Sequence, residues 1–272
     1  MIRRIVLNKK PIYVIADLHG FFNKLKVEID INASLKDCII ICAGDIGVGF
    51  NEKDFYLGKF EELNNVMREK NVDCLMIRGN HDDPSYFNGS IFLSNIKLIP
   101  DYTIVTSGES NILCVGGAIS IDRLYRKKLY QSNIDYISSL MPTEDIENIK
   151  NKVTKNYWEN EAPILDCDTL KEINDNEIKI NYVITHTSPS FAFKNDKKGI
   201  ENWLKNDETL DLDTSYERSV MDGIYNILKD NGNELIYWVY GHFHEHWEGE
   251  KEKTKFIALC NFDYISDIFK MV

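Results

Sequence analysis

Six short runs of apolar residues constrain the fold of this chain more than any other feature of its sequence. The runs are PIYVIA (11–16), CIIICA (38–43), CLMI (74–77), NILCV (111–115), INYVIT (180–185) and LIYWVY (235–240). Each is rich in Val, Ile, Tyr and Cys and too short for a helix, which is typical of strands buried on both faces. Helix-like segments alternate with the runs, and this alternation predicts an α/β fold.

Two helices can be placed from the spacing of apolar residues. One carries them at helical intervals, at Tyr56, Phe60, Leu63 and Met67. We expect the other to begin at a capping box made by Thr214 and Glu217 and to end before Gly232.

The stretch from about residue 124 to 177 is more polar and more helix-prone than its surroundings. No internal repeat, low-complexity tract or Pro/Gly/Ser-rich linker divides the chain. We therefore expect one domain over residues 1–272, with a helical cap inserted at about 124–177.

The charge and the cysteines limit where the protein acts. The 272 residues carry a formal net charge of −11, which argues against an extended nucleic-acid surface and against anionic membranes. No apolar run is long enough to cross a bilayer, and Lys9 and Lys10 interrupt the only early apolar segment. The six cysteines form no C-x-x-C pair, and most lie inside apolar runs, so we expect most of them to be buried thiols rather than disulfides, and a cytoplasmic protein.

Polar clusters follow five of the six runs at the point where each run ends. They read Asp17-Leu18-His19, Gly44-Asp45-Ile46-Gly47, Arg78-Gly79-Asn80-His81-Asp82, Thr185-His186-Thr187 and Gly241-His242-Phe243-His244. Five of the six histidines of the chain lie in these clusters, which scattered surface histidines would not do. The carboxyl ends of strands are where sites assemble in open α/β sheets, and in an extended segment residues i and i+2, such as Asp17 and His19, point to the same side.

The residue types in these clusters suit a metal centre. Carboxylates, imidazoles and an amide oxygen form a mixed nitrogen and oxygen donor set that favours Mn²⁺, Fe or Zn²⁺ over Ca²⁺. Any one cluster alone is more simply explained as a turn after a strand, but five clusters together favour a shared site. A structural zinc domain is disfavoured because Cys-rich tetrahedral spacing is absent.

The order and approximate spacing of DLH, GDIG, GNHD, THT and GHFH resemble those of the calcineurin-like metallophosphoesterase superfamily, over nearly the whole chain from Asp17 to His244. The resemblance implies a four-layer α/β/β/α sandwich of two mixed β-sheets flanked by helices, with a dinuclear metal centre at the strand ends. It implies that one ion is held by Asp17, His19 and His244, the other by Asn80, His186 and His242, and that Asp45 bridges both.

The resemblance also implies a mechanism, in which a hydroxide bridging two divalent ions attacks phosphorus in line. His81 would face the substrate phosphate and assist as an acid, Asp82 would orient its imidazole, and Arg78 would stabilise the equatorial oxygens. We expect Mn²⁺ to be the ion, with Fe, Zn²⁺ or Ni²⁺ as alternatives.

Other residues admit two interpretations. After the NILCV run, the segment from Gly116 to Arg123 is either a turn into a helix or a pocket border from which Asp122, Arg123 or Arg126 meets the substrate. Trp158 and Glu161 could line the pocket from the cap, but we favour a buried tryptophan and a solvated glutamate.

The substrate class stays open at this level. Protein serine/threonine phosphatases carry GD-x-VDRG where this chain has GDIGVG, so that activity is a disfavoured alternative. Phosphomonoesters or phosphodiesters of small molecules, nucleotides or phosphorylated ends all remain candidates. A catalytically silent binding module on the same fold is a further alternative, and the oligomeric state cannot be read from the sequence.

Overall fold

A computed structural model of the protein describes residues 2–193, 199–262 and 269–271. Within these ranges the strands are β1 (Arg4–Leu7), β2 (Ile12–Ile15), β3 (Ile39–Ala43), β4 (Asp73–Ile77), β5 (Ile96–Leu98), β6 (Thr103–Ser107), β7 (Ser110–Val115), β8 (Tyr182–Thr185), β9 (Tyr237–Tyr240), β10 (Trp247–Lys251), β11 (Thr254–Ala258) and β12 (Phe269–Lys270). The α-helices are α1 (Phe22–Ile31), α2 (Lys53–Glu69), α3 (Arg123–Leu140), α4 (Ile146–Lys152), α5 (Cys167–Asp175), α6 (Glu201–Asn206) and α7 (Leu210–Asp230). A short 3₁₀ helix spans Pro84–Phe87.

The strands form two mixed sheets. The smaller sheet has the order β12-β2-β3-β4-β5, in which β2 to β5 are parallel and β12 pairs antiparallel with β2. The larger sheet has the order β1-β6-β7-β8-β9-β11-β10 and is antiparallel only between β6 and β7 and between β10 and β11.

The layers follow from the alternation of side chains along each strand. In β2, Val14 joins a core between the two sheets, together with Ile184 and Val239 of the larger sheet. Its neighbour Tyr13 faces the opposite way, into the core beneath α1 and α2. Helices α5 and α7 cover the outer face of the larger sheet. This is the four-layer α/β/β/α sandwich, and the predicted fold class is confirmed.

All six predicted apolar runs are strands, namely β2, β3, β4, β7, β8 and β9. Six strands were not among the predicted runs: β1, β5, β10 and β12 lie at the edges of the two sheets, and β6 and β11 each lie next to an edge strand of the larger sheet. An edge strand has less of its surface covered, so it does not need the continuous apolar run that reveals a central strand.

The predicted helix of residues 56–67 is confirmed as α2, but the start of α7 differs from the prediction. This helix begins at Leu210, and Thr214 lies inside it with its hydroxyl donating to the Leu210 carbonyl at 2.9 Å. The capping-box prediction is therefore wrong. The predicted end is right, because Gly232 follows the helix in the left-handed region with φ +68°.

The segment at 124–177 contains two differently packed parts. Helices α3 and α4 pack on each other around Ile134, Ile149 and Val153. In contrast, Leu170 and Ile173 of α5 belong to the core beneath α7. The division of the chain into one domain with a cap stays a prediction. No helix in the described ranges is long and apolar enough to span a membrane.

Candidate metal centre

The five polar clusters meet where the two sheets of the sandwich lie against each other. Three of them follow β2, β3 and β4 of the smaller sheet, and two follow β8 and β9 of the larger sheet. The sheets are joined here by hydrogen bonds, because the N–H of His242 donates to both carboxylate oxygens of Asp17 at 3.0 and 3.1 Å. The clusters therefore form one site across both sheets.

The backbone at this site differs from the expectation of extended segments. Eleven non-glycine residues have positive φ in the described chain, and five of them are predicted ligands, with φ between 46° and 71°: Asp17, His19, Asp45, His242 and His244. The left-handed region costs a non-glycine residue of order 1–3 kcal/mol, and such residues cluster at functional sites. Asp17 and His19 thus converge through left-handed turns, and the argument from strand alternation is wrong for them.

One candidate ligand group contains four residues that could hold a metal ion, each offering an atom within 4.8 Å of the others: Asp17, His19, Asp45 and His244. The Nε2 atoms of His19 and His244 lie 3.2 Å apart. A carboxylate oxygen of Asp17 lies 3.5 Å from Nε2 of His244, and one of Asp45 lies 3.7 Å from Nε2 of His19. Two imidazoles and two carboxylates therefore point at one small volume.

A second candidate ligand group surrounds the side-chain oxygen of Asn80. This oxygen lies 3.0 Å from Nε2 of His186 and 3.0 Å from Nδ1 of His242. The other carboxylate oxygen of Asp45 is 3.1 Å from Nε2 of His186. Asp45 thus lies between the two groups and faces both.

The tautomer of His186 is set by its other ring nitrogen. Nδ1 lies 2.8 Å from the carbonyl oxygen of Ala43, to which it donates, so in the neutral ring Nε2 carries the lone pair that faces the site. Burial lowers the pKa of His186 and the adjacent Asp45 carboxylate raises it, and the result in the ion-free protein is about 10. A cation bound at Nε2 would therefore displace a proton.

These donors fit the divalent ions that the family resemblance implies. Oxygen and nitrogen atoms that can bind a cation lie 3.0–3.7 Å apart, with two buried carboxylates to balance positive charge. All seven predicted metal ligands lie in the described ranges, and each belongs to one or both of the two groups.

Three glycines make room for the ligand side chains. A Cβ at Gly44 would overlap the His186 ring, one at Gly79 would overlap the Asp45 carboxylate, and one at Gly241 would overlap the Asp17 carboxylate. Gly44 also has φ +88°. The glycines in GDIG, GNHD and GHFH are thus explained by close packing against the centre.

His81 lies beside the centre and contacts an arginine that the sequence singled out only as one of several candidates. Its ring packs edge-on against His19, with 5.1 Å between ring centroids, and Nη2 of Arg126 lies 2.9 Å from Nε2 of His81. Burial lowers the pKa of His81, the Asp45 carboxylate opposes this shift and the charge of Arg126 adds to it, and the resulting pKa is about 4. The imidazole is neutral at pH 7 in the ion-free protein.

Asp82 does not have the place predicted for it. Its carboxylate accepts hydrogen bonds from the N–H groups of Ile46, Gly47, Val48 and Gly79 at 2.7–3.1 Å. The described contacts include no hydrogen bond to the His81 ring. Asp82 therefore holds the turn after β3 against the turn after β4. Burial and the nearby charge of Asp45 raise the pKa of the Asp82 carboxyl to about 6.

Arg78 is also placed differently from the prediction. Its guanidinium pairs with Asp101 at 2.8 Å and donates to the carbonyl oxygens of Asn160, Glu161 and Ala162. With its donors committed to these acceptors, Arg78 anchors the chain after α4. Arg123, a second candidate for substrate contact, is buried and pairs with Asp207 and Asp213, each at 2.6 Å.

Glu161 contradicts the expectation of a solvated side chain, although Trp158 is buried as expected. Glu161 is 1% exposed and accepts from both the N–H and the hydroxyl of Ser120 at 2.7 Å. Burial raises the pKa of Glu161 to about 8.

A second buried carboxyl, Glu217, accepts from the N–H of Ile119 and the Thr187 hydroxyl, and burial raises the pKa of Glu217 to about 7. Sequence reasoning missed both contacts, since each joins distant segments.

A cavity of about 930 Å³ opens over the second ligand group. Its lining includes Asn80, His81, His242, Asp122 and Arg126, together with residues of α6 and α7 such as Trp203. Of the three candidates after the NILCV run, Arg126 and Asp122 therefore face the cavity, joined by an ion pair of 2.7 Å.

The sequence profile of the calcineurin-like phosphoesterase family matches residues 10–246, which include every predicted metal ligand. The chain belongs to the calcineurin-like phosphoesterase family. The resemblance read from the motifs is confirmed, and family membership supports metal-dependent phosphoester hydrolysis as the general activity. No curated protein sequence matches the chain significantly.

Solved structures resemble this family member at low identity. The match to TT1561 of Thermus thermophilus has a TM-score of 0.51 and 12% identity, and covers 93% of this chain and 90% of that one. A dimetal phosphatase from Danio rerio matches with a TM-score of 0.48 and 10% identity over 93% and 87% of the two chains. The phosphopantetheinyl hydrolase PptH from Mycobacterium tuberculosis matches with a TM-score of 0.40 and 12% identity over 97% and 96%. The first of these likenesses shows a shared fold alone.

Proposed function

We propose that the protein hydrolyses small phosphoesters with two divalent ions held by Asp17, His19, Asp45, Asn80, His186, His242 and His244. The observation that carries this proposal is the shared carboxylate of Asp45, whose two oxygens face His19 in one ligand group and His186 in the other. A residue placed in this way can hold two ions side by side.

The two ions, when bound, supply the chemistry of this reaction, because they activate a water for attack and stabilise the charge that builds on the phosphoryl oxygens. We propose Mn²⁺, since the donors combine imidazole nitrogen with carboxylate and amide oxygen, and Fe, Zn²⁺ or Ni²⁺ are the alternatives.

The chain itself supplies two groups for the substrate, His81 and Arg126. The Arg126 guanidinium lies at hydrogen-bond distance from the His81 ring and faces the cavity, where it can bind a phosphoryl oxygen. A bound phosphoester places negative charge beside His81 and raises the pKa of the imidazole from its low value. Once Arg126 donates to a phosphoryl oxygen instead of to Nε2 of His81, this nitrogen can hold a proton and donate it to the leaving oxygen.

The cavity supports a small substrate. Its volume of about 930 Å³ is in the range of pockets for small organic ligands. The acidic groups that line it, including Asp122 and Glu217, do not form a track for a polymer of phosphates. We therefore propose small phosphomonoesters or phosphodiesters rather than long nucleic acids.

The test uses the full chain, freed of metal with a chelator and reconstituted with Mn²⁺, Fe²⁺, Zn²⁺ or Ni²⁺. A parallel panel of aryl phosphomonoesters and aryl phosphodiesters then measures turnover. We expect metal-dependent hydrolysis of at least one ester class, and loss of both metal binding and turnover in Asp45→Ala.

Two histidine variants make a matched pair for this experiment. His242→Ala removes a ligand and should abolish turnover, whereas His246→Ala removes an exposed histidine outside both ligand groups and should retain it. A protein that binds Mn²⁺ but hydrolyses neither ester class would contradict the proposal and favour a silent binding module.

A further inference from the structure

A chain of buried hydrogen bonds runs from Glu161, after α4, to the ligand Asn80. The amide nitrogen of Asn80 donates to the Ser120 hydroxyl oxygen at 3.0 Å, and that hydroxyl donates to Glu161 at 2.7 Å. The second carboxylate oxygen of Glu161 accepts from the N–H of Ser120, also at 2.7 Å. The three residues are 1–4% exposed, so water cannot readily replace any of these bonds.

The direction of these bonds determines which atom Asn80 turns toward the centre. An ionised carboxylate only accepts hydrogen bonds, so the single hydroxyl proton of Ser120 is committed to Glu161. The Ser120 oxygen is left with lone pairs, and it can bind Asn80 only through the amide nitrogen. The amide oxygen of Asn80 must then face His186 and His242.

Two features support the carboxylate form of Glu161 in the working protein. Both of its carboxylate oxygens accept a hydrogen bond from Ser120, which stabilises the charged form. Positive charge in an occupied centre would favour the ionised form further. Arg78 also fixes the backbone on which Glu161 lies, because its guanidinium donates to the carbonyl oxygens of residues 160, 161 and 162. Glu161 is thus held on a segment that is tied to the same strand end, after β4, that carries Asn80.

We propose that Glu161 is a positioning residue for the metal centre: acting through Ser120, it fixes the Asn80 amide with its oxygen toward the ion. This inference rests on the proposed function. It assigns no contact between Glu161 and substrate or ion.

The experiment measures Mn²⁺ binding by calorimetric titration of the metal-free full chain, with electron paramagnetic resonance to report the pair of coupled ions. Ser120→Ala removes one oxygen atom, and Glu161→Gln preserves shape but places an N–H donor against Ser120. We expect each variant to bind one of its two ions about 10- to 100-fold more weakly than the wild type while the other ion binds unchanged. Ser107→Ala, which removes a buried hydroxyl from β6, is the matched control and should bind both ions like the wild type.

Repeating the Ser120 substitution in an Asn80→Asp variant distinguishes a role in positioning the Asn80 amide from a role in stabilising the fold. In Asn80→Asp the side chain presents an oxygen in either orientation, so adding Ser120→Ala should weaken ion binding by much less than it does with Asn80 present. Equal losses in the two backgrounds, or wild-type binding of both ions by Ser120→Ala and Glu161→Gln, would overturn the inference. If the wild type itself binds no ions, the proposed function fails and this inference fails with it.

Discussion

Asp45 and Arg126 are the two single residues that set what this site can do. Asp45 is 2% exposed, and its carboxylate lies between the two ligand groups, so its position decides whether two ions can be held together. Arg126 supplies a positive charge on the cavity side of His81. One residue therefore belongs to the proposed metal centre and the other to the proposed substrate pocket.

Replacement of Arg126 tests the substrate side alone. Arg126→Ala removes a charged donor whose hydrogen bonds to a phosphate are worth about 1.5–3 kcal/mol, so we expect kcat/KM to fall by about 10- to 150-fold. Mn²⁺ affinity should be unchanged, and Arg126→Lys should recover part of the loss. Steady-state kinetics with the best aryl phosphate measure this, with Lys128→Ala on the exposed side of α3 as the control. Unchanged kinetics in Arg126→Ala would show that this arginine does not meet the substrate.

The helices and strands act mainly by bringing their ends together. Strands β2, β3 and β4 deliver their predicted ligands from one sheet and β8 and β9 from the other, and the first turn of α3 places Arg126 above them. The turn that follows β3 is held by Asp82, which accepts four backbone N–H bonds. The chain after α4 is held by Arg78, which contacts it at three carbonyl groups.

Arg78→Met should therefore reduce stability rather than substrate binding. It leaves the partly buried Asp101 unpaired and three carbonyl groups without their donor, and removal of one partner of a buried ion pair costs about 3–5 kcal/mol. We expect a lower midpoint in urea unfolding. The enzyme that stays folded in dilute buffer should keep its KM within about threefold of the wild type, since a change of about 0.6 kcal/mol corresponds to that factor. A large rise in KM at unchanged stability would instead support the role in substrate binding that the sequence suggested.

Across the protein as a whole, the site draws on both ends of the chain. The predicted ligands extend from Asp17 to His244, so neither sheet holds a complete centre without the other. The net charge of −11 gives the chain no general attraction for phosphate, so a phosphoester has to be bound by the groups of this one site. Stability and metal binding are consequently linked, because ions that bind only the folded chain stabilise it.

Metal removal and pH should change this stability in a defined direction. Ions at 100 times their Kd add about 2.7 kcal/mol to the free energy of unfolding per site, and a chelator should reverse this gain. In the metal-free protein the pKa of His186, about 10, and of Glu161, about 8, exceed their ordinary values. The folded chain therefore binds more protons than the unfolded chain between pH 7 and 8, and stability should fall as the pH rises, by up to about 1.4 kcal/mol per group and pH unit.

Urea unfolding of the metal-free and Mn²⁺-loaded protein at about pH 7.0, 7.5 and 8.0 measures both effects. His81, whose pKa is lowered to about 4, contributes little in this window because it is neutral in the folded state and mostly neutral in the unfolded state. Glu161→Gln should reduce the pH dependence of the metal-free protein. Stability that rises with pH in the metal-free wild type would contradict the prediction.

The apolar runs were enough to predict an α/β fold and six inner strands, whereas the four-layer sandwich and the seven candidate metal ligands were implied by the resemblance of the motifs to a known family. Continuous apolar runs mark strands buried on both faces, and the candidate ligands follow these runs directly. Only the folded chain showed the places of Asp82, Arg78, Glu161 and Arg126, the edge strands together with β6 and β11, and the true start of α7. These features depend on contacts between distant segments, such as Glu161 with Ser120, and on left-handed turns at Asp17 and His19. Neither leaves a periodic pattern in the sequence, because burial of a polar group depends on which distant segment covers it.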